Sequence, residues 1–192
     1  MNIRFLSLLL LLSFLTGGCK KNTTPTVLNG VLNVHVDYEK QPGHGSNQWA
    51  VWIEDSEGVL VKTLFVTQFT ADGGYKPRPT CTPIWVSKAQ PDSLSQEAID
   101  AFSGATPSSG MQTCQWDLTD ADGKLVDPGI YTLIVEATLY GASEVIYRTS
   151  LTIGFKEWTL YLEPFYTSDD ETNRDMIRSV SVEYLLNNDK VQ

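Results

Sequence analysis

Residues 100–106, Asp-Ala-Phe-Ser-Gly-Ala-Thr, place one carboxylate and two hydroxyls around small residues within seven positions. A serine or threonine hydroxyl is a weak nucleophile until a neighbouring base or an external catalyst activates it. Ser103 is flanked as Ala-Phe-Ser-Gly-Ala, without the first and last glycines of a nucleophile elbow, and the only histidines that could serve as base are His35 and His44. Serine hydrolysis is therefore poorly supported. The segment otherwise reads in two ways. It is either an accessible acceptor hydroxyl, or an Asx/ST-type loop in which Asp100, Ser103 and Thr106 bond their own backbone and fix the entry to the next strand.

Other groups with chemical potential are few. Asp117, Asp120 and Asp122 surround a turn at Gly123, but Leu118 sits where an EF-hand would need a ligand, so turn capping is the expected role. His35 and His44 form no i,i+4 pair and join no His/Cys cluster, which argues against zinc. Cys81 and Cys114 lack Cys-x-x-Cys spacing. In an exported chain two leftover cysteines are expected to be bridged. Trp49, Trp52, Trp85, Trp116 and Trp158 suit a core, with one or two left to stack on a planar ligand near Thr106.

The pattern Asp-x-x-Ser-Gly-Ala-Thr resembles the acceptor motif on which bacterial flavin transferases place FMN, through a phosphoester to the final threonine. That resemblance implies covalent FMN on Thr106. It also implies that Asp100 and Ser103 orient the loop, while Gly104 and Ala105 let the backbone enter the transferase. Thr106 is followed by Pro107-Ser108-Ser109-Gly110 and a strand, where acceptors of that kind continue into a helix. The run from Trp116-Asp117 through Asp122-Gly123 to Gly129-Ile130-Tyr131 resembles the immunoglobulin-like domain of flagellar hook-capping proteins. The order of Ala50-Val51-Trp52-Ile53-Glu54-Asp55, the Ser-Gly-Ala-Thr segment and this Trp-Asp run resembles a family of predicted periplasmic proteins of unknown function. The resemblance covers roughly residues 30 to 185, and implies partners in a flavin transferase and a membrane reductase.

The elements that must position Thr106 are mostly strands. Leu32, Val34, Val36 and Tyr38 alternate with polar residues, and Gln48–Glu54 and Val59–Val66 flank an Asp55–Gly58 turn as a hairpin. Further strands are expected around Cys81–Val86, Met111–Trp116, Tyr131–Ala137, Val145–Ile153, Trp158–Phe165 and Ile177–Tyr184. Ser93 and Gln96 have capping-box spacing, which predicts one short helix ending near Ile99 and delivering Asp100 to a loop. Roughly seven to nine short strands with turn signals predict an all-β, immunoglobulin-like antiparallel β-sandwich with one short helix.

Residues 1–18 have a basic start and an apolar run too short to span a bilayer, an export signal. Leu15-Thr16-Gly17-Gly18-Cys19 resembles a bacterial lipoprotein signal, which implies lipidation of Cys19 and a membrane anchor. Residues 19–26 read as a lipidated tether and 27–192 as a single domain. A formal net charge of −9 argues against nucleic acid or anionic headgroups as main partners. The expectation is a periplasm-facing, non-enzymatic lipoprotein, either a carrier of covalent FMN in extracytoplasmic electron transfer or a binding module with a purely structural loop.

Overall fold

The computed structural model describes residues 28–140, 144–169 and 174–187. The signal segment, Cys19 and the tether lie outside them. Strand β1 (Gly30–Tyr38) buries every second residue, as its period-2 pattern requires. It lies between β5 (Gly110–Trp116) and β10 (Ile177–Leu186), and Val34 faces Cys114 on one side and Val182 on the other. With β8 (Trp158–Leu162) outside β10, these form a four-stranded sheet. The second sheet runs β4-β3-β2-β6-β7-β9, built from β2 (Gln48–Glu54), β3 (Leu60–Thr67), β4 (Ser103–Gly104), β6 (Gly129–Thr138), β7 (Val145–Ile153) and β9 (Pro164–Tyr166). The β2–β3 hairpin closes where Asp55 Oδ1 accepts the N–H groups of Glu57 and Val59, both at 2.9 Å, and Gly58 takes φ 78°. The all-β sandwich is as expected.

Two apolar clusters explain the burial. Leu32, Val34, Val36, Trp49, Val51, Leu133 and Val135 fill the space between the sheets. On the far face of the six-stranded sheet, Ala50, Trp52 and Ile134 pack under Trp85, Ala89 and Ile99 from a helical layer. All seven residues of β2 are consequently buried. Trp49 and Trp52 do point to opposite faces, but neither lines a surface, because the second face is roofed.

That roof departs from the expected single helix. The segment expected to be a strand at Cys81–Val86 contains the start of helix α1 (Pro83–Ala89), and helix α2 spans Gln96–Phe102. Pro83 opens α1, where its missing N–H is no loss. The next two N–H groups, of Ile84 and Trp85, go to the Glu136 carboxylate of β6 at 2.9 and 2.8 Å. Burial, with a hydrogen bond from the protonated carboxyl to Glu144 adding to it, pushes the Glu136 carboxyl up to about 9. Helix α2 is capped by Ser95, which accepts from Ala98 N, while Ser93 donates to Gln90 O in the preceding turn. The expected strand Trp158–Phe165 divides at Glu163, with β8 in one sheet and β9 in the other.

Cys81 and Cys114 are unpaired, which corrects the expected bridge. Cys114 packs between the sheets, whereas Cys81 stands just before α1, whose layer covers the opposite face of the six-stranded sheet. Burial pushes the Cys114 thiol up to about 12 and raises that of Cys81 as well, so both are held as inert thiols. Thiol titration of the chain without Cys19 is expected to count both cysteines in denaturant and neither under native conditions; a thiol-free denatured protein would restore the bridge.

Candidate functional site

Thr106 stands in the loop that follows α2. The Ser103 N–H closes the helix on Ile99 O, and the chain then turns extended, so that Ser103 and Gly104 pair in parallel with Val66 and Thr67 of β3. A Cβ at Gly104 would come within 3.1 Å of the Phe65 ring, so glycine lets the loop lie close on that side chain. Phe65 in turn packs on Trp49 at a centroid distance of 4.4 Å. Ser103 and Gly104 therefore anchor the start of the loop to the sheet.

The Thr106 hydroxyl is half-buried and donates to the carbonyl of Asn47 at 3.2 Å. Ala105, beside it, is exposed. Asp100 is not delivered to the loop: it remains on α2, exposed, and accepts from Gln96 Nε2 one turn back at 2.8 Å. Of the residues expected to form one site, Ser103, Gly104, Ala105 and Thr106 line one strip of backbone, and Asp100 serves its own helix. Among the described residues, the Thr106 hydroxyl bonds a backbone carbonyl and no carboxylate.

Thr106 and Ala105 form one wall of an open groove of about 570 Å³. The opposite wall is the turn after β3, where Phe69, Asp72, Gly73 and Gly74 face the groove together with Pro77. The segment Thr70–Gly74 is kinked, leaving helical geometry at Asp72 and Gly73, the latter at φ 92°.

The groove is held by Gln48, which sequence reasoning did not single out. Gln48 is fully buried at the start of β2. Its Oε1 accepts from Thr67 Oγ1 at 2.5 Å, from Thr70 Oγ1 at 2.9 Å and from Thr70 N at 3.2 Å. Its Nε2 donates to Ser46 Oγ at 2.8 Å and to Asn47 O at 2.9 Å. One side chain thus joins the end of β3, the first residue of the kinked segment and the carbonyl that receives Thr106. Asn47 is pinned from its other end, since its side-chain amide exchanges two hydrogen bonds with the Gln41 backbone. The signal for Gln48 was an amide heading a strand that is apolar and aromatic as far as Glu54.

The remaining candidates are structural. Asp117 Oδ1 accepts from Thr119 N and Oγ1, and Asp120 Oδ1 from the N–H groups of Asp122 and Lys124, which is turn capping as expected. Trp52, Trp85 and Trp116 are fully buried and donate their ring N–H groups to Glu54, Thr63 and Thr119. The partly buried Trp158 bonds Thr152 O. No tryptophan lines the Thr106 groove; the aromatic side chain there is Phe69.

Residues 31–158 match the model of the family described as "Predicted periplasmic protein (DUF2271)". No curated protein and no solved structure matches the chain. No helix among the described residues is long and apolar enough to cross a membrane.

Proposed function

Given that the chain belongs to the DUF2271 family of predicted periplasmic proteins, we propose that it is a non-catalytic carrier of FMN, ester-linked to Thr106, and that it relays electrons in the periplasm. The observation that carries this reading is the position of the Thr106 hydroxyl, at the end of an Asp-x-x-Ser-Gly-Ala-Thr segment and on the wall of an open groove. The lipid anchor at Cys19 belongs to the same proposal and would keep the carrier near a membrane-bound reductase.

The attachment is a phosphoryl transfer. Thr106 Oγ attacks the phosphorus of FAD that bears the riboflavin; the bond from that phosphorus to the bridging oxygen breaks, and AMP leaves. The hydroxyl proton passes to a base of the transferase, and no electrons change hands. Positioning and charge stabilisation come from the transferase and its metal.

Esterification removes the proton that Thr106 now gives to Asn47 O. In many buried sites this would leave an orphaned carbonyl, at a penalty of about 1–3 kcal/mol. Here Gln48 Nε2 donates to the same carbonyl at 2.9 Å and keeps it satisfied. The hydroxyl can therefore be modified without breaking the arrangement behind it. The same Thr106–Asn47 bond is what favours the competing reading, in which the loop is structural and the sandwich is a binding module.

Co-expression of the full chain with an active flavin transferase separates the two. The carrier reading expects a fluorescent band on a denaturing gel, an FMN mass increment, and loss of both in Thr106→Ala with the fold retained. A chain that stays unmodified while another acceptor is labelled by the same transferase would establish the structural loop.

A further inference from the structure

We propose that the groove beside Thr106 is a built seat for one planar heteroaromatic ring, the isoalloxazine of the ester-linked flavin, and that Phe69 is the face on which the ring lies. This rests on the reading of Thr106 as the attachment point.

Phe69 is an aromatic side chain left 45% exposed in a protein that buries four of its tryptophans completely. Its exposure is not looseness. A Cβ built on Gly74 would stand 2.4 Å from two carbons of the Phe69 ring and 2.3 Å from the Phe69 carbonyl oxygen, closer than any side chain tolerates. Gly74 is itself buried, so the ring presses on bare backbone and is fixed there. Phe69 and Thr106 both line this groove.

The rest of the groove suits a flat occupant. Gly73 and Gly74 contribute backbone without side chains, and Pro77 adds an apolar wall. The volume of about 570 Å³ lies within the range of roughly 300–1,000 Å³ typical of small-molecule sites. Behind the wall, Gln48 holds Thr70 at the start of the turn, so the platform is positioned by the same buried amide that supports Asn47.

The occupant follows from connectivity. A group esterified to Thr106 is tethered to one wall of the groove and confined near the other. Tethering replaces a bimolecular encounter with an effective concentration in the millimolar range. A modest gain from stacking the ring on Phe69 is then enough to hold it in the seat rather than in solvent, since offset-stacked aromatic pairs gain beyond the area they bury.

The test uses the full chain co-expressed with a flavin transferase, with fluorescence and anisotropy normalised to the FMN mass increment. Phe69→Trp is expected to carry the same increment and to lose flavin fluorescence several-fold, because an indole in contact with the excited ring quenches it. Phe69→Ala is expected to carry the increment with lower flavin anisotropy, the ring having lost its platform. Modified variants with unchanged fluorescence and anisotropy would overturn the seat and leave the ester standing. Loss of the increment in the Phe69 variants alone would also overturn it, by assigning Phe69 to recognition of the transferase. An unmodified wild-type chain would overturn the seat and the carrier reading together.

Discussion

Gln48→Leu is expected to lower the free energy of unfolding by about 2–4 kcal/mol, while Ser46→Ala, at an exposed neighbour in the same network, stays within about 1 kcal/mol. Leucine keeps most of the volume, so the loss reports hydrogen bonding rather than a cavity. The Thr67 and Thr70 hydroxyls and the Thr70 N–H all end on Gln48 Oε1 in a site without solvent exposure. The hydroxyls can rotate toward other acceptors, but the backbone N–H has no such freedom and becomes an orphan. Chemical denaturation of both variants measures the difference. Since a domain is typically stable by about 5–15 kcal/mol, a loss of this size is a large fraction of the total. If Gln48→Leu is as stable as the wild type, the network behind the groove is incidental.

Glu136 gives the second large effect, and its sign depends on pH. Its folded-state carboxyl is pushed up to about 9 from an ordinary value of 4.5, chiefly by burial. The folded protein therefore keeps a proton that the unfolded chain releases in mild acid. Where the native state binds more protons, stability falls as pH rises. The contribution is fully present below about pH 4.5, declines through neutrality, and is lost once pH passes about 9. Glu136→Ala removes the acceptor of the Ile84 and Trp85 N–H groups and opens a cavity under α1. At pH 4 that substitution is expected to cost about 2–4 kcal/mol. The difference from wild type then shrinks toward pH 9, because the variant no longer has the Glu136 carboxyl to ionise. Denaturation midpoints of both proteins across this range measure the trend; a gap that widens with pH would contradict it.

Both residues show where the sequence stopped being legible. Strands β1, β2, β3 and β6 were readable because each buries residues at period two, or fills its length with β-branched and aromatic side chains. Helix α1 was not, because its N-terminal cap comes from Glu136, 52 residues after Ile84, and a strand pattern around Cys81 and Trp85 was equally consistent locally. The β8–β9 division was hidden for a similar reason, since the passage from one sheet to the other at Glu163 leaves no mark in alternation. Thr106 was legible as a motif and Gln48 was not. A motif is written in consecutive residues, whereas Gln48 gains its meaning from Thr67 and Thr70 on the neighbouring strand and the turn beyond it.

The strand that carries the loop is only two residues long, Ser103 and Gly104, and it forms the outer margin of its sheet against Val66 and Thr67. So short a strand holds its place on β3 through few backbone pairs. Its removal bares backbone donors and acceptors on β3, and an unpaired strand margin is a template for an incoming strand. The segment before Thr106 is in this sense a cover: two residues close a strand margin that would otherwise stand open.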